Sequence, residues 1–102
     1  GIMMEIGMDF SEALLCLKQE KKMARYSWNG KGQWVVMMPG LYLEAGLCNG
    51  RTRKHLGDNV PLDSQPYFVL KNAQDKWQPG WVPSTGDLLA NDWYEVKGEN
   101  ND

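Results

Sequence analysis

The segment Trp81-Val82-Pro83-Ser84-Thr85-Gly86-Asp87-Leu88-Leu89-Ala90-Asn91-Asp92-Trp93 carries its own helix start between two tryptophans, and it constrains this chain more than any other stretch. Pro83 restricts Val82 to an extended conformation. Ser84 is placed to cap the first free N–H groups, and Asp87 three residues on completes a capping box. The pattern predicts a short helix over about residues 85–91. A helix start with bare N–H groups beside aromatic rings is a place where a nucleotide can sit. The same residues also fit a purely structural role, because tryptophans in a small domain commonly fill its core and most capping boxes only start helices.

At 102 residues the chain is the size of one domain, large enough to bury roughly 65% of its unfolded surface without a disulfide or metal. A net charge of -2 argues against duplex DNA or RNA as a partner, which calls for a basic stripe or a basic balance. A small anionic ligand stays open. Cys16 and Cys48 stand apart and outside any C-x-x-C pattern, which suits free thiols in a reducing cytoplasm. No apolar run approaches the roughly 18 residues that span a membrane, and the first residues lack the charged and apolar regions of a signal peptide. Residues 1–7 read as an N-terminal extension or expression remnant, with Met4 or Met8 as the native start. Residues 8–97 read as a single domain and residues 98–102 as a frayed acidic tail.

A helix is predicted from about Asp9 to Gln19. Asp9 and Glu12 form a capping box, and Phe10, Ala13, Leu14 and Leu17 recur at the spacing of one buried face. Lys22 to Trp28 alternates as a strand, with Ala24, Tyr26 and Trp28 on one side. Asn29-Gly30-Lys31-Gly32 supplies turn residues, and Gln33 to Met38 follows as a strand buried on both faces, so the two strands read as a hairpin. Leu41 to Gln65 reads as a long loop with at most a helical turn, and such loops tend to be functional or mobile. Tyr67 to Lys71 is a third strand, Lys76 to Val82 a weaker fourth interrupted at Pro79-Gly80, and Trp93 to Lys97 closes the sheet. The fold class is α+β: an antiparallel sheet of four or five strands with two short helices on one face, in a single compact domain.

Catalytic and metal constellations are missing from the sequence. His55 lies near Cys48 and Asp58 without the local signature of a cysteine nucleophile. Asp87 and Asp92, five residues apart on a helix, are expected to point in divergent directions, and Asp87 is already used as a cap. No group of His, Cys and carboxylates has ligand spacing, and Gly30-Lys31-Gly32 is too short for a phosphate loop and precedes a strand. No cofactor and no enzymatic activity are expected. What remains suits binding. A base laid on tryptophan contributes about 1 to 3 kcal/mol, whereas nanomolar capture needs about 12 kcal/mol net. Stacking must therefore be joined by cationic contacts and enclosure, and a chain this small encloses a ligand best by sharing the pocket between subunits.

The ordered set Asp9-Phe10, Ala13-Leu14, Leu17-Lys18, Lys21, Arg25, Trp28-Asn29-Gly30-Lys31-Gly32, Pro66 to Leu70, Trp81-Val82-Pro83-Ser84, Asp87-Leu88-Leu89-Ala90 and Asp92-Trp93 resembles the small phage protein family named Thoeris anti-defence protein two. The resemblance covers about residues 8 to 97, with its specific motifs at the two ends. Leu41 to Gln65 is not matched residue by residue. The resemblance implies a sponge: a phage or prophage protein, assembled as a homotetramer in the cytoplasm of the infected host. It would bind the cyclic ADP-ribose isomer made by the Thoeris system, glycocyclic ADP-ribose, without cleaving it. Some members of the family also bind cyclic oligonucleotide signals at separate sites.

Carried onto this chain, the resemblance implies that Trp28 and Trp81 supply faces for adenine. Asn29 would bond ring edges or ribose, and Ser84, Thr85 and Asp87 would offer polar contacts at the helix start. Arg25, or Arg51, Arg53 and Lys54 in the loop, would neutralise the pyrophosphate. Core packing for Trp28, a turn role for Asn29 and plain solvation for the loop cations are the competing assignments. Trp34 and Trp93 are assigned to packing. A structural or protein-interaction subunit of a prophage is the alternative function, with a sponge of cyclic oligonucleotides and a nucleotide-processing enzyme behind it.

Overall fold

The computed structural model describes residues 7–98, so most of the expected N-terminal extension and of the acidic tail lies outside the described residues. Gly7 belongs to the domain and not to an extension: its N–H donates to the Asn91 carbonyl at 2.9 Å, and a side chain there would run into the Trp93 carbonyl. Met8 follows as a bridge partner of Trp93.

Helix α1 spans Phe10–Lys18. Asp9 Oδ1 accepts from the Glu12 N–H at 2.9 Å and Glu12 Oε1 accepts from the Asp9 N–H at 3.0 Å, which is the predicted capping box. Ala13 and Leu17 are fully buried and Phe10 packs edge-on to Trp93 at 5.5 Å. The strands are β1 Met23–Arg25, β2 Trp34–Met38, β3 Leu41–Leu43, β4 Leu62–Ser64, β5 Tyr67–Lys71, β6 Trp77–Pro79 and β7 Trp93–Glu95. The two remaining helices are α2 Gly50–Leu56 and α3 Thr85–Leu89, with a 3-10 turn over Ala45–Leu47.

Five strands form one antiparallel sheet in the order β6-β5-β2-β1-β7. The α+β class expected from the sequence is therefore the observed one. Pairing of Met23 with Val35 and of Val35 with Leu70 puts these side chains, with Met37 and Phe68, on the face covered by α1. Trp93, Leu17, Met23 and Val35 are the large side chains sealed in that core. Val69 is sealed as well, on the opposite face. There, Trp34 lies edge-on to Trp77 at 6.4 Å and beneath the ammonium groups of Lys22 and Lys71, at 4.8 and 5.2 Å. Trp34 thus packs, as expected, although with cations and not in the main core.

Several expectations need correction. The first strand ends at Arg25, because the Trp28 N–H turns back to the Arg25 carbonyl at 3.2 Å, so Tyr26 and Trp28 do not share a strand face. In β2 only Val35 is fully buried, not both faces of the strand. The sixth strand stops at Pro79, where Gly80 at φ +89 and Trp81 both donate to the Phe68 carbonyl. That positive φ is cheap only for glycine, and the turn it makes swings Trp81 over the sheet. Residues 41–64 are not a loop: β3 and β4 pair as a separate two-stranded sheet, and α2 starts on Asn49, whose side chain accepts from the Thr52 N–H at 2.8 Å. The described residues thus contain three α-helices, where two were expected.

Candidate functional site

Four aromatic side chains converge where the β1–β2 connection meets the segment before α3. Trp28 and Trp81 are half-buried, and Trp93 lies fully buried beneath them. Their ring centroids are 6.4 Å (Trp28–Trp81), 5.4 Å (Trp28–Trp93) and 6.3 Å (Trp81–Trp93) apart, and Phe68 meets Trp81 at 6.0 Å. All four contacts are edge-to-face, the arrangement favoured by the ring quadrupole and worth about 0.5–1.5 kcal/mol each beyond buried area. The indole planes of Trp28 and Trp81 meet at 66°. They form a corner, so a base stacked on one ring meets the edge of the other.

Asp87 is the polar anchor of this corner. Its Oδ1 accepts from Arg25 Nη1 at 2.8 Å and from Trp28 Nε1 at 3.2 Å, its Oδ2 from the Ser84 N–H at 2.9 Å, and its backbone carbonyl from Trp93 Nε1 at 2.9 Å. One aspartate therefore holds two indole N–H groups and a guanidinium. Asp92 completes the cluster: its Oδ1 accepts from Arg25 Nε at 2.8 Å and its Oδ2 from the Ser27 N–H at 2.9 Å. The divergence expected of Asp87 and Asp92 is thus overturned. Helix α3 ends at Leu89, so Asp92 lies beyond it, and both carboxylates converge on one guanidinium.

Burial alone pushes the Asp87 carboxyl up. The Ser84 N–H, Arg25 and Trp28 outweigh it and hold the pKa below the ordinary aspartate value. In Asp92, burial is likewise outweighed by Arg25 and Ser27. Burial lowers the Arg25 pKa, and the bonds to Asp92 and Asp87 reverse this and raise it. All three groups are charged at neutral pH, two negative against one positive.

A cavity of about 310 Å³ opens beside the corner, lined by Trp28, Asn29, Gly30, Gln33, Leu70, Trp81 and Asp87. A second of about 260 Å³ lies across the same connection, lined by Arg25, Tyr26, Lys31 and Tyr94 together with Trp28, Asn29, Gly30 and Gln33. The stretch 28–33 is the wall between them, and Gln33 Nε2 braces it by donating to the Gly30 carbonyl at 3.2 Å. Tyr26 and Tyr94 stack at 4.2 Å with planes 15° apart, beside the second cavity.

Of the residues expected at a site, Trp28, Asn29, Trp81 and Asp87 line the first cavity and Arg25 the second. Ser84 and Thr85 line neither. At the start of α3 the capping box takes two of the N–H groups: that of Asp87 donates to Ser84 Oγ at 3.0 Å and that of Ser84 to Asp87 Oδ2 at 2.9 Å. Each of the three guanidinium nitrogens of Arg25 donates to a protein partner, Nη2 to Ser27 Oγ at 3.0 Å. Arg51 and Arg53 sit on α2 and line neither cavity. Sequence reasoning missed Gln33, Tyr26, Tyr94 and Lys31 as lining residues. The signal available for Gln33 and Lys31 was their place in and just after Asn29-Gly30-Lys31-Gly32.

Among the described residues no helix is long and apolar enough to cross a membrane, and no group of His, Cys, Asp and Glu is arranged to hold a metal ion. Residues 8–96 match the family described as Thoeris anti-defense 2-like domain. The curated protein Thoeris anti-defense 2 of Bacillus phage SP01 is 35% identical over 92 residues, covering 88% of this chain and 96% of the phage protein.

Proposed function

Because this chain belongs to the Thoeris anti-defense 2-like family, we propose that it counters Thoeris defence by sequestering the cyclic ADP-ribose signal, glycocyclic ADP-ribose, without cleaving it. The observation that carries this reading is the cavity between the half-buried rings of Trp28 and Trp81, with Asn29 and Gln33 on its rim. Adenine stacks on one indole and meets the other edge-on, while the two carboxamides offer donors and acceptors to ring edges and ribose hydroxyls.

Sequestration also fits the state of the acids. A general acid or base needs a pKa near the working pH, whereas Asp87 and Asp92 are held low by Arg25 and by backbone N–H groups. They orient the tryptophans and leave the ligand's bonds alone.

Each cavity lies at or below the lower end of the range for small-molecule pockets, about 300–1,000 Å³, so one chain supplies part of the enclosure. Assembly as a homotetramer in the host cytoplasm supplies the rest. Leu15 on α1 and Leu88 and Leu89 on α3 are exposed apolar side chains on neighbouring helices, a surface suited to another subunit. The test is incubation with glycocyclic ADP-ribose followed by heating to release what is held. Depletion with intact ligand recovered supports the sponge. No depletion leaves a structural role or another signal such as a cyclic oligonucleotide, and altered ligand means catalysis.

A further inference from the structure

Asp87, Asn29 and Gln33 line the cavity at the Trp28/Trp81 corner, and they differ in what folding leaves them to offer. Asp87 is committed, its Oδ1 to Arg25 and Trp28 and its Oδ2 to the Ser84 N–H. Asn29 is exposed, and a carboxamide at the surface can turn either end to a ligand.

Gln33 is different. It is half-buried, and its Nε2 donates to the Gly30 carbonyl at 3.2 Å. The carboxamide packs directly on Gly30, where a Cβ would lie 2.6 Å from Nε2 and 2.8 Å from Cδ. Turning the group over would set Oε1 against the Gly30 carbonyl, acceptor against acceptor, so this bond fixes which end is which. Oε1 is the end left over: among the described residues no donor reaches it, and it is not shielded from solvent.

The charge of the cavity decides which part of a nucleotide it can hold. Its lining has the Asp87 carboxylate and no cation, since Arg25 and Lys31 line the cavity on the other side of the 28–33 wall. Like charges brought together cost free energy, so a pyrophosphate is repelled here and an uncharged base is not. Trp28, Trp81 and Leu70 supply the apolar surface for that base. Purines divide at position 6: adenine carries an amino group, a donor, whereas an oxopurine carries a carbonyl, an acceptor.

We propose that Gln33 sets the base specificity of this pocket: its Oε1, left open by the bond to Gly30, accepts from the 6-amino group of adenine and opposes the 6-carbonyl of an oxopurine. The assignment rests on the sponge reading above. It supplies a selectivity that stacking lacks, because every base has a π face, and that Asn29 lacks, because it is free to turn. Two acceptors set face to face leave both unpaired, and a site built to accept from one group rejects the analogue without it.

The test compares glycocyclic ADP-ribose with its deaminated form, in which hypoxanthine replaces adenine, by calorimetry on the full chain. Wild-type protein should bind the adenine form at least about tenfold more tightly. Gln33→Met keeps the length of the side chain and removes the carboxamide; it should bring the two affinities within about threefold of each other, mainly by weakening the adenine form. A residue that only braced the wall would weaken both forms alike and leave their ratio intact. That result overturns the proposal, as does wild-type protein that binds both forms equally. Asn29→Ala should weaken both forms and keep the ratio, and a collapse of the preference there moves the selectivity to Asn29 and overturns the assignment. The thermal midpoint checks that each variant folds, and the wild-type comparison decides the matter even where one does not. Wild-type protein that binds neither form sinks the sponge reading itself, whereas binding without preference leaves that reading standing and removes only the role of Gln33.

Discussion

Arg25 and Asp87, 62 residues apart in the chain, meet at 2.8 Å through Nη1 and Oδ1. With side chains only 18% and 10% exposed, the pair ties the end of β1 to the first turn of α3 directly under the two tryptophans. Replacing Asp87 with Ala leaves the guanidinium with one carboxylate and strips Trp28 Nε1 of its acceptor. Removal of one partner from such a pair destabilises by about 3 kcal/mol. Urea unfolding should show that loss as a lower midpoint with little change in slope; an unchanged midpoint would mean that the ion pair contributes nothing to folding.

Acid should act through the same pair. The folded pKa values of Asp87 and Asp92 are lowered, so their stabilisation is fully present above the unfolded aspartate value of about 3.9 and is lost as pH falls through the folded values. Urea midpoints should therefore hold from neutral pH down to about 5 with respect to these groups, and fall below about 4. In Asp87→Asn the acid-linked loss should be smaller, because one titrating carboxylate is gone.

Trp81 walls the cavity from the edge of the core cluster. Since stacking on one indole contributes about 1 to 3 kcal/mol, Trp81→Ala should weaken capture of glycocyclic ADP-ribose at least tenfold by calorimetry, with the assembly mass unchanged. Equal affinity in that variant removes Trp81 from the pocket.

Gly30 is closed in by its neighbours: a Cβ there would lie 2.6 Å from Gln33 Nε2 and 2.9 Å from the Ala73 Cβ. Gly30→Ala must displace Gln33 from its bond to the Gly30 carbonyl and so reshape the wall shared by both cavities. Overpacking of this kind costs about 1 to 2 kcal/mol. Binding should fall several-fold, and a variant that binds as wild type would show that the wall does not touch the ligand.

Much of this molecule was legible without coordinates wherever the signal is local. Both capping boxes, Asp9 with Glu12 and Ser84 with Asp87, rest on a three-residue spacing that sets which N–H each side chain reaches. The buried face of α1 follows from periodicity in the same way, and the strands Trp34–Met38 and Tyr67–Lys71 from short apolar runs bounded by turn residues. Trp28, Asn29, Trp81 and Asp87 were marked by type and neighbourhood, and they line one cavity.

The β3–β4 ribbon and α2 escaped because these elements are too short to carry a period. β3 and β4 are three residues each and α2 seven, and the strand pairing depends on the register of a hairpin whose strands are joined through the whole of α2. Asp87 was read as a cap that also offers a polar contact to the ligand, yet folding engages its carboxylate with Arg25 and Trp28. Short-range order in this chain follows from steric and hydrogen-bonding rules acting over one turn. Which charges cancel, which indoles stay open and which cations are left over are settled when distant segments pack, because buried polar groups must take partners from whatever the tertiary fold brings beside them.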